Sequence, residues 1–246
     1  MLVYKYDGTI DGLFSCIFES FVNKETPNLI TSDQIQLSLD SNVKIIETNY
    51  DNNKRVINCI YKHAGINALN DLKYAFRSGN EQKEITIFNY ACKIIKEKRN
   101  IANKFSDQVV MDFYDTIKRI GNESHRMKGF LRFNECEGGF FYAHFSPDND
   151  VADLMLPHFT ARFKDIPFVI HDVKRNILAL YNGKETKVIK GTNAITVYLT
   201  ERENHFQGLW KTYYNAVNIA ERKNVKLMKS FLPIKYWEHL TEKVSV

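Results

Sequence analysis

Between positions 123 and 172 lie Glu123, His125, His144, His158, Arg162, His171 and Asp172, side chains able to move protons or hold anions. Imidazoles and carboxylates gathered in one pocket can do general acid–base work, and an arginine beside them offers a fork for an anion. Glu123, His125, His158 and Asp172 are therefore the catalytic candidates. No His-Glu-x-x-His or comparable spacing accompanies them, so a metal site is not expected. Each also has a plainer role open to it. His125 and Arg126 close a helical pattern, where a cation complements the helix dipole. His158 and Arg162 are one helical turn apart and border the apolar row Met155, Phe159 and Phe163. Asp172 and Arg175 bracket a turn between two strand patterns, which an Asp side chain stabilises without any further function.

A second kind of chemistry is phosphate binding. Arg222, Lys226 and Lys229 form a row at helical spacing with Lys223 adjacent, and with Arg126, Arg132 and Arg162 they are the candidate nucleic-acid contacts. Tyr214, Tyr236 and Trp237 are near enough in sequence to stack on exposed bases. Solvated surface lysines and a buried tryptophan are the competing readings. Two short motifs suggest narrower classes. KGFLRF (128–133) begins like the signature strand of an RNA-recognition module. That strand needs a small residue, then an aromatic, and a final aromatic; Leu131, Arg132 and Glu135 occupy those places, so the stacking platform is lost. HFSP (144–147) is similar to a motif of uracil-DNA glycosylases, but the glycine-rich acidic loop such enzymes need has no counterpart, and Pro147 reads as the end of a strand.

The elements that must position these groups follow from periodicity. LVYKY (2–6) predicts a strand, Asp7-Gly8 a turn, and Ile10, Leu13, Phe14, Ile17, Phe18 and Phe21 one face of a helix capped by Thr9 or Asp7. A strand is expected at 43–48 and helices at 51–64, 66–78, 81–98 and 106–127, with Gly65, Gly79 and Gly121 as stops or weak points. From Gly129 the period becomes two: GFLRFNEC and FFYAHFSP flank Glu137-Gly138-Gly139 and predict a hairpin. With a two-residue turn, Leu131, Phe133, Glu135, Phe140, Tyr142 and His144 share one face, and Phe130, Arg132, Cys136, Phe141, Ala143 and Phe145 the other. A bulge at the glycines would exchange them. A short helix follows at 151–163, then strands at 167–172 and 176–182, with KVIK and ITVYL as weaker ones. One long helix is expected over 203–230, its core face carrying Phe206, Trp210, Tyr213, Val217, Ala220, Leu227 and Phe231, ended by Pro233 and followed by a short helix.

The order predicts an α+β fold: a helical N-terminal half packed with a mainly antiparallel sheet and a long C-terminal helix. One domain over 1–246 is expected, with a mostly helical lobe 1–128 and a lobe 129–246 of strands and C-terminal helices. Because the 106–127 helix, the hairpin and the 151–163 helix are joined by short connections, His125, His158 and Arg162 are expected around one concave surface.

With 44% hydrophobic residues and 13% aromatics over 246 residues, the chain can bury a core and is not a disordered one. Its net charge of +5 suits an anionic partner. No charge-free window spans a bilayer and MLVYKYDG does not start like a signal peptide, so a cytoplasmic protein with no membrane partner is expected. Cys16, Cys59, Cys92 and Cys136 are dispersed, with no Cys-x-x-Cys pair. They read as reduced buried thiols, and no cofactor is expected.

YDGTIDGLFSCIFE (6–19), ESHRMKGFLRF (123–133), GGFFYAHFSPDNDV (138–151), LPHFTARF (156–163), IHDVKRN (170–176) and the tail LWKTYYNAVNIAERKN…LPIKYWEHL (209–240) run in the same order as in a bacterial family labelled "probable DNA metabolism protein". The chain resembles that family over nearly its whole length. Ile10, where an aromatic is commoner, and the region 80–105 depart from it. The family's conserved unit is a domain of unknown function that is similar to an extension fused to some uracil-DNA glycosylase-like proteins. The resemblance implies a DNA context and a radical-SAM partner protein, and it brings no catalytic set. The expected function is thus a nucleic-acid-binding or adaptor component in DNA repair or modification. An enzyme acting on nucleic acid or a nucleotide is the alternative, and a protein-interaction scaffold the third.

Overall fold

The computed structural model describes residues 1–32, 41–191, 196–219, 222 and 224–243. The chain divides into two compact units, Met1–Ile120 and Gly121–Val246.

The first unit begins with β1 (Leu2–Lys5), the centre of a parallel sheet with β2 (Leu29–Thr31) on one side and β3 (Asn42–Ile45) on the other. Of its strands, β1 and β3 fall at the two that the sequence predicts, 2–6 and 43–48, while the three-residue β2 leaves too short a pattern to register. Between β1 and β2 runs α1 (Ile10–Asn23), whose N-cap Thr9 accepts from the amide of Gly12. Leu13, Phe14 and Ile17 are buried there as their spacing predicts, while Phe21 is exposed. Then come α2 (Tyr50–Ala75), α3 (Lys83–Glu97) and α4 (Gln108–Phe130). The two helices expected over 51–78 are one element interrupted at Gly65, whose φ of 82° and ψ of 179° suit glycine alone. Tyr90 stacks on Phe113 at 3.8 Å, joining α3 and α4 in the core.

The second unit is a mixed sheet with helical cover. Its strands are β4 (Asn134–Cys136), β5 (Phe140–Phe145), β6 (Phe168–Asp172), β7 (Ile177–Tyr181) and β8 (Thr186–Lys190), in that order across the sheet. Pairing is antiparallel except between β5 and β6, which are parallel because the connection holding α5 (Leu156–Phe163) is long enough to cross over. The edge strand β8 is exposed throughout and carries Lys187 and Lys190, charges that discourage edge-to-edge pairing. The strand expected at ITVYL is only a bridge from Leu199 to Cys136; Ile195 lies outside the described residues.

Three expectations need correction here. KGFLRF is not a strand: α4 continues through Lys128 and Gly129 to Phe130, and Gly121 does not stop it. The Arg132 guanidinium donates to the carbonyls of Gly129, Phe130 and Leu131, ending the helix in a tight turn that mimics alternation. The hairpin loop has three residues, with Gly138 and Gly139 at φ of 92° and 77°. Even therefore pairs with even: Asn134 and Cys136 share a face with Tyr142, Phe140 and His144, and Glu135 pairs with Phe141. The long C-terminal helix is two helices, α6 (Glu201–Ala216) and α7 (Val225–Phe231). Asn224 caps α7 by accepting from the Leu227 amide, an alternative to helix that asparagine favours. Nor does this segment present a core face: no residue of α6 is buried, and Phe206, Trp210, Tyr213, Val217, Leu227 and Phe231 are exposed; Ala220 lies outside the described residues.

On one face of the sheet, Phe141, Phe168 and Tyr181 align across three strands. Phe159 and Phe163 of α5 pack there together with Phe133, which lies 4.8 and 4.7 Å from their rings. Tyr142, His144 and His171 stand on the other face, and the 3-10 segment Ile234–His239 docks against β5 there. No helix among the described residues is long and apolar enough to cross a membrane.

Candidate functional site

The approach to α6 builds a groove. The Thr200 amide donates to the Glu135 carbonyl, the Glu137 amide to Tyr198, and the Glu135 amide to the Glu203 carboxylate at 3.0 Å, so the start of α6 is stitched to the free edge of β4. Between α6, the end of α4 and α5 opens a cavity of about 620 Å³. That volume is in the range of small-molecule sites. Phe133, Phe141, Phe163, Phe206 and Trp210 give it aromatic walls, and Lys128 and Arg162 supply positive charge at its edge. Within it Gln207 spends both amide hydrogens, on Asn134 Oδ1 at 3.0 Å and on Glu203 Oε1 at 3.1 Å.

One carboxylate organises the wall. Glu242, with only 6% of its side chain exposed, accepts from the Arg132 guanidinium at 2.7 Å and from the Trp210 indole N–H at 3.1 Å. Burial alone would raise its carboxyl, but these hydrogen bonds outweigh burial and hold it below the usual carboxylate range. Arg132 is thereby committed to Glu242 and to the helix end, while Trp210 is fixed by its polar edge and remains 40% exposed. An aromatic held this way offers a flat surface to a ligand with little ordering left to do.

A family model described as a domain of unknown function, DUF4130, matches residues 81–242. The chain belongs to the DUF4130 family. Among curated proteins and among solved structures, nothing matches. Every residue lining the groove lies inside the DUF4130 span.

The candidates from the sequence are distributed unevenly over the DUF4130 unit. Arg132 and Arg162 reach the groove; His125 and His158 do not line it. His125 and Arg126 are exposed on α4, where Arg126 donates to the Asn122 carbonyl. His158 is exposed on α5 with its ring edge against Phe159. Glu123 is buried and accepts from the amides of Asp148 and Asn149, the Asn149 side chain and the Tyr236 hydroxyl, at 2.6 to 2.9 Å. Asp172, wholly buried, accepts from the Arg175 amide and guanidinium, and Arg175 also holds the carbonyls of Pro147 and Asp148. The two acids thus clamp the loop at Pro147–Asn149. Arg222, Lys226 and Lys229 are exposed in the C-terminal segment, and Lys223 lies outside the described residues. Of the aromatics proposed to stack, Tyr236 is buried against Glu123, Trp237 donates to the Leu232 carbonyl, and the Lys243 ammonium lies over the Tyr214 and Trp237 rings. The groove residues that sequence reasoning passed over are Lys128, Asn134, Glu203, Gln207 and the anchor Glu242.

His144 and His239 are packed rather than presented. His144 meets His239 edge to face at 4.8 Å, beside a closed space of about 10 Å³, at the threshold for a single water. The Nδ1 atoms of both are buried without a hydrogen-bond partner among the described residues. Burial lowers both pKa values; nearby His239 and His171 lower His144 further, while Glu238 partly opposes the change at His239. An imidazole lowered in the folded state binds its proton more readily in the unfolded chain. Stability should therefore be full above the ordinary histidine value of 6.5 and decline as pH falls from there toward the lowered values. Urea midpoints followed by tryptophan fluorescence are expected to drop from about pH 7 to about pH 5. The drop should be shallower in the His144→Asn/His239→Gln variant; equal slopes would remove the pair as the cause.

Proposed function

We propose that this DUF4130 protein is a nucleic-acid-binding adaptor acting in DNA repair or modification, working in the cytoplasm with a radical-SAM partner. The groove carries the nucleic-acid half of this reading. It combines aromatic walls with Lys128 and Arg162, neither of which is ion-paired among the described residues. Cations placed beside stacking surfaces are what a flexible anionic strand requires. The adaptor half rests on the family resemblance of the sequence and on the C-terminal helices, where Leu209, Tyr213, Leu227 and Phe231 are each more than half exposed. Apolar side chains grouped on a surface suit a protein contact.

The test is DNA affinity measured across salt concentrations. Lys128→Ala/Arg162→Ala should weaken binding and flatten the log–log salt slope by about 0.7–0.9 for each phosphate that the variant no longer neutralises. Arg222→Ala/Lys226→Ala/Lys229→Ala, titrated in parallel, shows whether that row binds phosphates of its own. Absence of DNA binding, or a double groove variant identical to wild type in slope and affinity, would contradict the proposal.

A further inference from the structure

Inside the groove, the hydrogen bond from Gln207 Nε2 to Asn134 Oδ1 leaves two groups over. Asn134 Nδ2 remains a donor and Gln207 Oε1 an acceptor, and neither has a protein partner among the described residues. Both belong to side chains that line the groove, and the two amides are joined at 3.0 Å. A donor beside an acceptor is the pattern that an unpaired base presents along its Watson–Crick edge, where pairing in a duplex would conceal it. The same groove holds the Trp210 ring, fixed through its N–H to Glu242 and 40% exposed.

Resting on the nucleic-acid reading above, we infer that the groove seats one unpaired nucleotide of a single strand. Its base stacks on Trp210, the Asn134–Gln207 amide pair meets its edge, and Arg162 and Lys128 hold the flanking phosphates. The roughly 620 Å³ of space accommodates a nucleotide and leaves room for the strand to enter and leave. A duplex fits this description poorly, since its base edges are paired and its stacking faces covered. A purely electrostatic seat would have no use for a fixed indole or a spare amide pair. Glu203 fits as well: both of its oxygens are occupied by Gln207 and the Glu135 amide, which orients the amide pair and mutes a charge that would repel phosphate.

The experiment uses the full chain in a Trp237→Phe background, which leaves Trp210 as the sole tryptophan. Three probes of equal length are titrated: a single-stranded oligonucleotide, the same strand with abasic sites throughout, and the duplex. The single strand should quench Trp210, and the abasic strand should bind about tenfold more weakly with no quenching, the scale expected for one stacked base. The duplex should not quench. Asn134→Ala should narrow the gap between normal and abasic strands without altering the salt slope, whereas Arg162→Ala should alter the slope and keep the gap. Equal affinity for normal and abasic strands would overturn this inference and leave phosphate binding standing. Quenching by polyglutamate as strong as by the single strand would overturn it in favour of an acidic peptide. Failure of every strand to bind would remove the nucleic-acid reading on which it rests.

Discussion

Glu123→Ala is expected to lower the stability of the unit Gly121–Val246 by roughly 3–5 kcal/mol, among the largest effects available to a single polar substitution here. The carboxylate is 2% exposed and takes hydrogen bonds from two backbone amides, one side-chain amide and one phenol. Removing it takes away the acceptor that these donors share, and the Asn149 and Tyr236 groups are themselves buried. Burial and the bond to Glu123 also push the Tyr236 hydroxyl well above its usual pKa, so it stays a donor throughout the ordinary pH range. Glu123→Gln should recover only part of the loss, because its NH2 group turns two donors toward donors. Urea denaturation followed by tryptophan emission reports on this unit, since Trp210 and Trp237 both belong to it. If alanine costs less than about 1 kcal/mol, the loop clamp is misassigned. A stable Glu123→Ala protein with selectively lost activity on a nucleic acid would revive its candidacy as a catalytic acid.

Phe159→Ala should cost about 3–5 kcal/mol, as expected for truncating a fully buried phenylalanine. Its ring is 1% exposed and lies 4.8 Å from Phe133 and 6.3 Å from Phe168, so it ties α5 both to the sheet and to the turn after α4. Because α5 also carries Arg162, loosening it should weaken DNA binding even when most molecules are folded. Phe159→Leu retains most of the volume and should retain most of both properties. The pair of variants separates packing from charge: melting curves should order them wild type, leucine, alanine, and affinities should follow. An alanine variant as stable as wild type would mean that α5 is held by something other than this aromatic cluster.

How much of this was legible in the sequence depended on the length of each pattern. Thr9 capping α1, the buried Leu13, Phe14 and Ile17, and the break at Gly65 followed from spacing and residue type alone. The hairpin was legible, but its register was not, because one extra loop residue exchanges every side chain between faces. KGFLRF misled because a helix end closed by Arg132 places apolar residues at alternate positions just as a strand would. The C-terminal segment misled for another reason: Phe206, Trp210 and Tyr213 are spaced for burial, and spacing cannot tell whether anything lies over them. Arg162 lines the groove, yet the concave surface expected to gather His125 and His158 with it does not include them. Asn134, Gln207 and Glu242 gave no local signal at all. They come together through α6 lying beside the edge of β4, across a sequence separation that no motif spans.

Photo-crosslinking decides whether nucleic acid occupies this groove. A single-stranded DNA carrying photoreactive bases is bound to the protein, irradiated, digested and mapped by mass spectrometry. Crosslinked peptides are expected to contain Trp210, Phe206 or Phe133, and crosslinks should disappear in Lys128→Ala/Arg162→Ala. Crosslinks confined to the Arg222–Lys229 row, to the His144–His239 side of the sheet or to residues 1–120, with none in the groove, would contradict the account.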